Sequence, residues 1–337
     1  MTCIGIVPKV HGVGGMVSFH EKLAAGLLKR GVKVSDDPDD NCDALLVISG
    51  TRDLGLLRRA RKRGVRVVHR LDGINWLHRK HRTPVRVFFR AEIANLLLAF
   101  IRRFHADRVV YQSEFIKAWW EDWYGRTRVP NRVIYNAVDL ERYSPSGPGE
   151  RPTDLVRIMV VEGSLTHGQE VGLSWAVALA EKLKEIQPLL VELVVAADVA
   201  ESQKDHWKTR ATVPVNFLGV VPRERIPELD RSAHFYFSAE INPPCPNSVI
   251  EALACGLPVA GFSMGSLPEL VTPEAGTVTF YGGNPWKLDT PNIPALAAAA
   301  ARMLADLPRY QAGARARAES AFDLDAMVDK YLEVLLD

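Results

Sequence analysis

Glu251 opens the run Glu-Ala-Leu-Ala-Cys-Gly-Leu-Pro-Val, a stretch otherwise made of small and apolar residues. A carboxylate in such a helix needs partners, and sugar hydroxyls are good ones because it accepts two in bidentate fashion. A capped or salt-bridged structural glutamate is the alternative. Gly12-Val13-Gly14-Gly15 stands between an apolar strand and a helix, where glycines permit close approach and the helix N-terminus favours an anion. The spacing is not GxGxxG, since Val17 occupies the third glycine position, and no Gly-Lys-Ser/Thr follows. A plain tight turn fits it as well. Gly261-Phe262-Ser263-Met264-Gly265 spells the GxSxG of a nucleophile elbow, which requires a later histidine. The last histidine, His234, precedes Ser263, which argues against a hydrolase. Asp37-Pro38-Asp39 is a DxD that could hold a divalent metal, but it lies in the acidic turn 36–40 and reads as a solvated loop.

The elements that must carry these residues alternate along the whole chain. Strands are expected at 3–7, 32–34, 44–48, 65–69, 108–112 and 132–135, with helices at 16–30 and 54–62 and a long helical region before 108. The second half repeats the theme, with strands at 157–161, 190–196, 215–218, 234–238 and 258–262 and helices at 171–186 and 247–255. Residues 143–152, rich in Pro, Gly and Ser, read as the linker. Strands alternating with helices over this length imply parallel sheets in two successive α/β domains. Ligands in such folds sit at the carboxyl ends of the strands.

The 337 residues are 47% hydrophobic and carry a net charge of only +2, which excludes disorder. No apolar run approaches the ~20 residues of a membrane-spanning helix, and the N-terminus lacks the pattern of a signal peptide. Cys3, Cys42, Cys245 and Cys255 show no CxxC spacing and suggest neither a disulfide framework nor a zinc site. The expectation is a soluble, cytoplasmic protein. The near-neutral total hides a split, for residues 1–148 hold 26 Lys and Arg against 15 Asp and Glu. Much of that charge falls between Arg58 and Arg103, with Trp76, Phe88, Phe89 and the apolar run 96–101 among it. The first half is therefore expected to face something anionic, a membrane surface or a phosphate-bearing substrate; scattered solvated faces are the alternative. No nucleic-acid-binding pattern accompanies the basic residues.

Taken together, these segments resemble the retaining glycosyltransferases of family 4. The resemblance rests on the stretch from Ser238 to Val271, with Glu251 at the second acid of the E-x7-E region. It rests also on the glycine loop, Asp72-Gly73, Val110–Phe115, Val133–Asp139 and Asn216–Val221. The Cys-Pro-Asn-Ser variant at 245–248 looks like a subgroup found among bacterial enzymes of surface-polysaccharide assembly. The family implies a GT-B fold, with Rossmann-like domains at 1–148 and 149–321 facing across a cleft, and the last helix, 322–337, returning to the first. It implies transfer of a sugar from a nucleotide-sugar to a glycan or lipid-linked acceptor, with retention and without a metal or other cofactor. A non-catalytic nucleotide- or glycan-binding relative and a nucleotide-sugar epimerase are the competing expectations.

Carried over residue by residue, the resemblance gives Glu251 the ribose, Asn247 and Ser248 the donor's polar groups, and Val221 in the 219–221 loop the base. Gly14, Gly15, Gly163, Ser164 and His167 would receive the diphosphate. Asp72 would orient the reacting sugar or the acceptor hydroxyl. There are departures. Pro243 stands at the first acid, and Pro243, Pro244 and Pro246 offer no backbone N–H. Glu240 lies nearby, out of register by three. Ser164 and His167 fall where the family carries an Arg and a Lys, and Asp72, or His69 three residues earlier, where it carries a histidine.

Overall fold

The structure is a computed structural model and describes residues 2–10, 12, 14–37, 41–166 and 168–337. Its backbone divides into two compact units, Met1–Asn136 with Leu324–Asp337, and Ala137–Asp323. In the first unit, β1 (Cys3–Val7) leads to α1 (Gly15–Lys29), β2 (Lys33–Ser35), β3 (Ala44–Ile48) and α2 (Leu54–Lys62). Then come β4 (Arg66–Leu71), α3 (Val85–Phe104), β5 (Arg108–Tyr111), α4 (Glu114–Tyr124) and β6 (Asn131–Val133). The second unit holds β7 (Leu155–Ser164), α5 (Glu170–Ile186), β8 (Leu190–Asp198), α6 (Glu201–Arg210), β9 (Val215–Phe217), α7 (Ile226–Ser232) and β10 (Phe235–Phe237). It continues through α8 (Asn247–Ala254), β11 (Val259–Phe262), α9 (Leu267–Leu270), β12 (Gly276–Thr279), α10 (Ile293–Ala305) and α11 (Leu307–Ala321). Finally α12 (Leu324–Leu336) joins the first unit.

Each unit carries a six-stranded sheet, ordered β2-β1-β3-β4-β5-β6 and β12-β11-β10-β7-β8-β9. All pairings are parallel. Strands such as β3 and β11 are buried along their whole length, as parallel strands covered on both faces by helices must be. The order of each sheet fixes a switch point, where successive connections leave to opposite sides and a crevice opens at the strands' carboxyl ends. In the first unit this lies between β1 and β3, and in the second between β7 and β10.

The stretch 143–152 is packed onto the second unit rather than swinging free. Arg231 donates to the carbonyls of Ser144 (3.1 Å) and Pro148 (2.7 Å), and Arg151 donates to that of Ala233 (2.6 Å). Arg231 thus holds two carbonyls of the stretch, and Arg151 anchors the stretch to the end of α7. α12 is held on the first unit by Arg30, which reaches Asp325 (2.9 Å) and Asp329 (2.7 Å), and by Phe19 against Tyr331.

One expectation is corrected. Cys3 and Cys42 form a disulfide. The parallel pairing of β1 with β3 sets Ile4 opposite Ala44, which brings together two cysteines 39 residues apart. No local spacing could reveal that pair.

Candidate functional site

The second unit places its polar residues at the β7/β10 switch point. β7 ends in Glu162-Gly163-Ser164, and the chain leaves β10 through Ser238-Ala239-Glu240. The fully buried Tyr236 ties this edge to α8. Its hydroxyl donates to the Val161 carbonyl (2.9 Å) and lies 2.9 Å from Ser248 Oγ and 3.4 Å from Glu162 Oε1. Burial, and then the charge of Glu240, push the Glu162 carboxyl well above its ordinary value, against the hydrogen bond from Tyr236. Burial pushes Glu240 up to about 7. Two carboxyls this close cannot both ionise cheaply, so one of them keeps a proton near neutral pH.

Close packing holds the Glu240 segment in place. A Cβ at Gly172 on α5 would come 2.0 Å from the Ala239 carbonyl oxygen, so only glycine lets the helix approach there. Pro243, which stands at the family's first acid, is buried. It accepts from Ser266 N through its carbonyl (2.8 Å), and its nitrogen would lie 2.4 Å from a Cβ on Gly265. The carboxyl that reaches Glu162 electrostatically is Glu240, not residue 243.

Glu251 sits one turn beyond Ser248 on α8 and is 8% exposed. Its charge raises the Tyr143 phenol, after burial itself, and likewise raises the Asp230 carboxyl and the Cys255 thiol. Tyr143 in turn hydrogen-bonds the Arg223 carbonyl through its hydroxyl (3.5 Å). Tyr143, which feels the charge of Glu251, thus bonds the chain two residues after Val221. Asn247 is the first residue of α8, whose first turn holds no acid.

The Gly163–Gly168 turn is less ready for an anion than expected. Gly163 and Ser164 are exposed, and a Cβ on Gly163 would meet open space. Glu170 Oε2, however, already accepts from Gly168 N (2.6 Å), placing a carboxylate at the start of α5. His167 lies outside the described residues.

In the first unit, the glycine loop leaves β1 at the β1/β3 switch point. Gly14 caps α1 with φ 138°, and neither a side-chain cap nor a first-turn acid occupies the helix end. Among the described residues a Cβ at Gly14 would touch nothing, and a helix N-terminus of this kind favours an anion. Gly15 begins α1, and Val13 lies outside the described residues. So do Pro38 and Asp39 of the DxD.

Asp72 follows β4 on the same carboxyl edge. Burial pushes its carboxyl up, while the charge of Arg70 and a hydrogen bond with Ser49 hold it down. Trp120 Nε1 donates to the Asp72 carbonyl (2.8 Å). Arg70 is 2% exposed, lies 3.7 Å from the Phe19 ring centroid and donates to Asn136 Oδ1 (2.8 Å). His69, the other candidate for the family's histidine, is fully buried against the Ser49 carbonyl, and burial brings its imidazole down to about 4. It is therefore neutral near pH 7.

Several members of these clusters escaped sequence reading. Tyr236 lies in an aromatic strand, Phe235–Phe237, that reads as core, and Glu162 in a strand end; only the order of the sheet brings them beside Glu240. The GxSxG glycines have a packing origin. Gly261 makes room for Leu267, and Gly265 has φ +58° against Pro243. His234 accepts from Arg157 N at the other end of β10. Ser263 is accordingly expected to resist a fluorophosphonate probe; labelling at Ser263, mapped by mass spectrometry, would restore the hydrolase.

Two parallel six-stranded sheets with alternating helices match the α/β structures of the GT-B class, as comparison with known proteins shows. The family model "Glycosyl transferases group 1" matches residues 157–306, and "Glycosyltransferase Family 4" matches residues 43–142. With the fold, these matches make the chain similar to the family 4 glycosyltransferases. No curated protein matches its sequence. Among solved structures, sucrose-phosphate synthase from Thermosynechococcus elongatus superposes with TM-score 0.74 at 16% identity, over 99% of this chain and 98% of that one. HepE from Anabaena, solved with UDP-glucose, gives 0.68 at 18% identity over 99% of each chain. WaaG, a glycosyltransferase involved in lipopolysaccharide biosynthesis, gives 0.68 at 14% identity over 99% of each.

Proposed function

We propose that the protein transfers a sugar from a nucleoside-diphosphate sugar to a glycan or lipid-linked acceptor, with retention at the anomeric carbon and without a metal ion. The carrying observation is the β7/β10 switch point, where buried Glu251 and the Tyr236–Ser248 contact share one short helix with Asn247. Glu251 takes the ribose hydroxyls, Val221 and its loop the base, and Asn247 and Ser248 the polar groups of the donor. Gly14 and Gly15 take diphosphate charge at the start of α1, and Asp72 orients the reacting sugar or the acceptor hydroxyl. The setting is the cytoplasmic side of a bacterial cell, in surface-polysaccharide assembly, with the basic first unit toward an anionic surface.

UDP is the first nucleotide to test, because HepE, which is similar in fold, was solved with UDP and with UDP-glucose. Glu251→Ala is expected to weaken UDP binding by calorimetry by about 1–3 kcal/mol, the worth of hydrogen bonds to a charged group. Unchanged affinity in a folded variant would remove Glu251 from the site. A second reading, binding without transfer, is favoured by Pro243 at the first acid. Turnover or slow hydrolysis of any sugar in a nucleotide-sugar panel would dismiss it.

A further inference from the structure

α3 leaves a face of large apolar side chains in water. Val85, Phe89, Ile93 and Leu96 are 59–70% exposed, and Phe104 is 59% exposed, with Phe100 between them. The spacing of four, four, three, four and four residues puts all six on one side of the helix. The opposite side, with Leu98 and Ile101, is buried, so α3 is seated in the fold and its stripe is left over. Contiguous exposed apolar surface on this scale marks an interaction site. A groove of about 470 Å³, lined by Arg52, Arg90, Phe89, Ile93 and Leu97, runs beside the stripe.

Charge decides what fits there. Arg86, Arg90 and Arg103 are exposed on α3 itself. Its one acid, Glu92, is bound by Arg79 and His78, which hold its carboxyl down at about 2. α2 packs beside α3, where Leu57 and Ala60 share a core cluster with Ile101. It presents exposed Arg58, Arg59, Arg61 and Lys62 on its outer side. A second copy would bring like charges together. An anionic lipid surface complements both the apolar stripe and the arginines around it. Among the described residues no helix is long and apolar enough to cross a membrane, so α3 would lie in the plane of the surface.

We infer that the exposed face of α3, with the basic outer side of α2, docks the protein on an anionic phospholipid bilayer. This deepens the functional reading, on which it rests only for making that bilayer the place where a lipid-linked acceptor is met. The docking needs no nucleotide.

The test is sedimentation of the full chain with vesicles of phosphatidylcholine alone or with 30% phosphatidylglycerol, about the content that gives a strong surface potential. Binding is expected to the anionic vesicles only, to fall at least tenfold between low and physiological salt, and to fall at least tenfold in a Phe89→Ser/Ile93→Ser/Leu96→Ser variant. A separate Ile93→Trp variant is expected to shift its emission to the blue on anionic vesicles. All three substituted side chains are surface-exposed, and a thermal melt matching wild type would confirm that the triple variant folds. Equal partition onto both vesicles, an unshifted tryptophan or unaltered binding of the triple variant would each overturn the docking. So would a stable dimer, or capture by an acidic protein, with no vesicle binding. UDP affinity measured on the triple variant is expected to match wild type; its loss across all proteins would instead count against the nucleotide-sugar reading.

Discussion

Replacing Trp120 by alanine is expected to cost the first unit about 3–5 kcal/mol in urea unfolding, the range for deleting a buried aromatic side chain. Trp120 is the largest fully buried side chain of α4, and its ring lies 5.2 Å from that of Tyr124, centroid to centroid. Its Nε1 also donates to the backbone carbonyl of Asp72. Trp120→Phe separates the two contributions. It keeps most of the apolar volume but leaves the Asp72 carbonyl without that donor, a loss of about 1–3 kcal/mol if no water replaces it. Because the lost bond is local to Asp72, transfer should fall in the Phe variant while UDP affinity stays at wild type. An alanine variant within 1 kcal/mol of wild type, taking that as roughly the spread expected of surface changes, would show that the indole is not holding the β4 edge.

The fold was legible because parallel strands advertise themselves. Ala44–Ile48 and Val259–Phe262 are short apolar runs bounded by turns, and burial on both faces leaves no other way to write them. Boundaries slipped by a residue or two where strand ends are charged, as at Arg66–Leu71, whose Arg70 faces a cation-accepting ring rather than solvent. Glu251 could be singled out because a carboxylate is conspicuous among alanines. The Glu162–Glu240 pair could not. Each glutamate alone is an ordinary polar end to a strand, and their encounter depends on β10 inserting beside β7, a long-range event that periodicity does not encode. The same holds for Cys3 and Cys42. Helical pattern did anticipate α3, but the side that stays exposed is set by how α3 seats on the sheet, which its own sequence does not state.

That carboxyl pair should make stability depend on pH in the reverse of the usual carboxylate manner. Glu240 keeps its proton in the folded state up to about pH 7, whereas the unfolded chain releases it near the ordinary value of 4.5. Between those values the folded state binds more protons, so stability is fully present below about pH 4.5 and is lost as pH rises through 7. One carboxyl shifted this far contributes about 3 kcal/mol at most. Glu162, raised by burial and by Glu240, extends the loss in the same direction. Glu240→Gln retains a neutral side chain of similar shape and abolishes that residue's proton release. Urea titrations from pH 5 to pH 8 should therefore show wild type losing stability more steeply than the variant, which keeps only the loss due to the burial of Glu162, and the variant should be the more stable protein at pH 8. A wild-type profile no steeper than the variant's would mean that Glu240 is solvated and releases its proton near the ordinary carboxylate value. The functional consequence follows from hydrogen-bond chemistry. A protonated Glu240 can donate to a phosphate oxygen, which an ionised one would repel, and Pro243 supplies no carboxyl of its own there. UDP affinity of wild type should weaken from pH 5.5 to pH 8, and Glu240→Gln should hold its affinity over the same range.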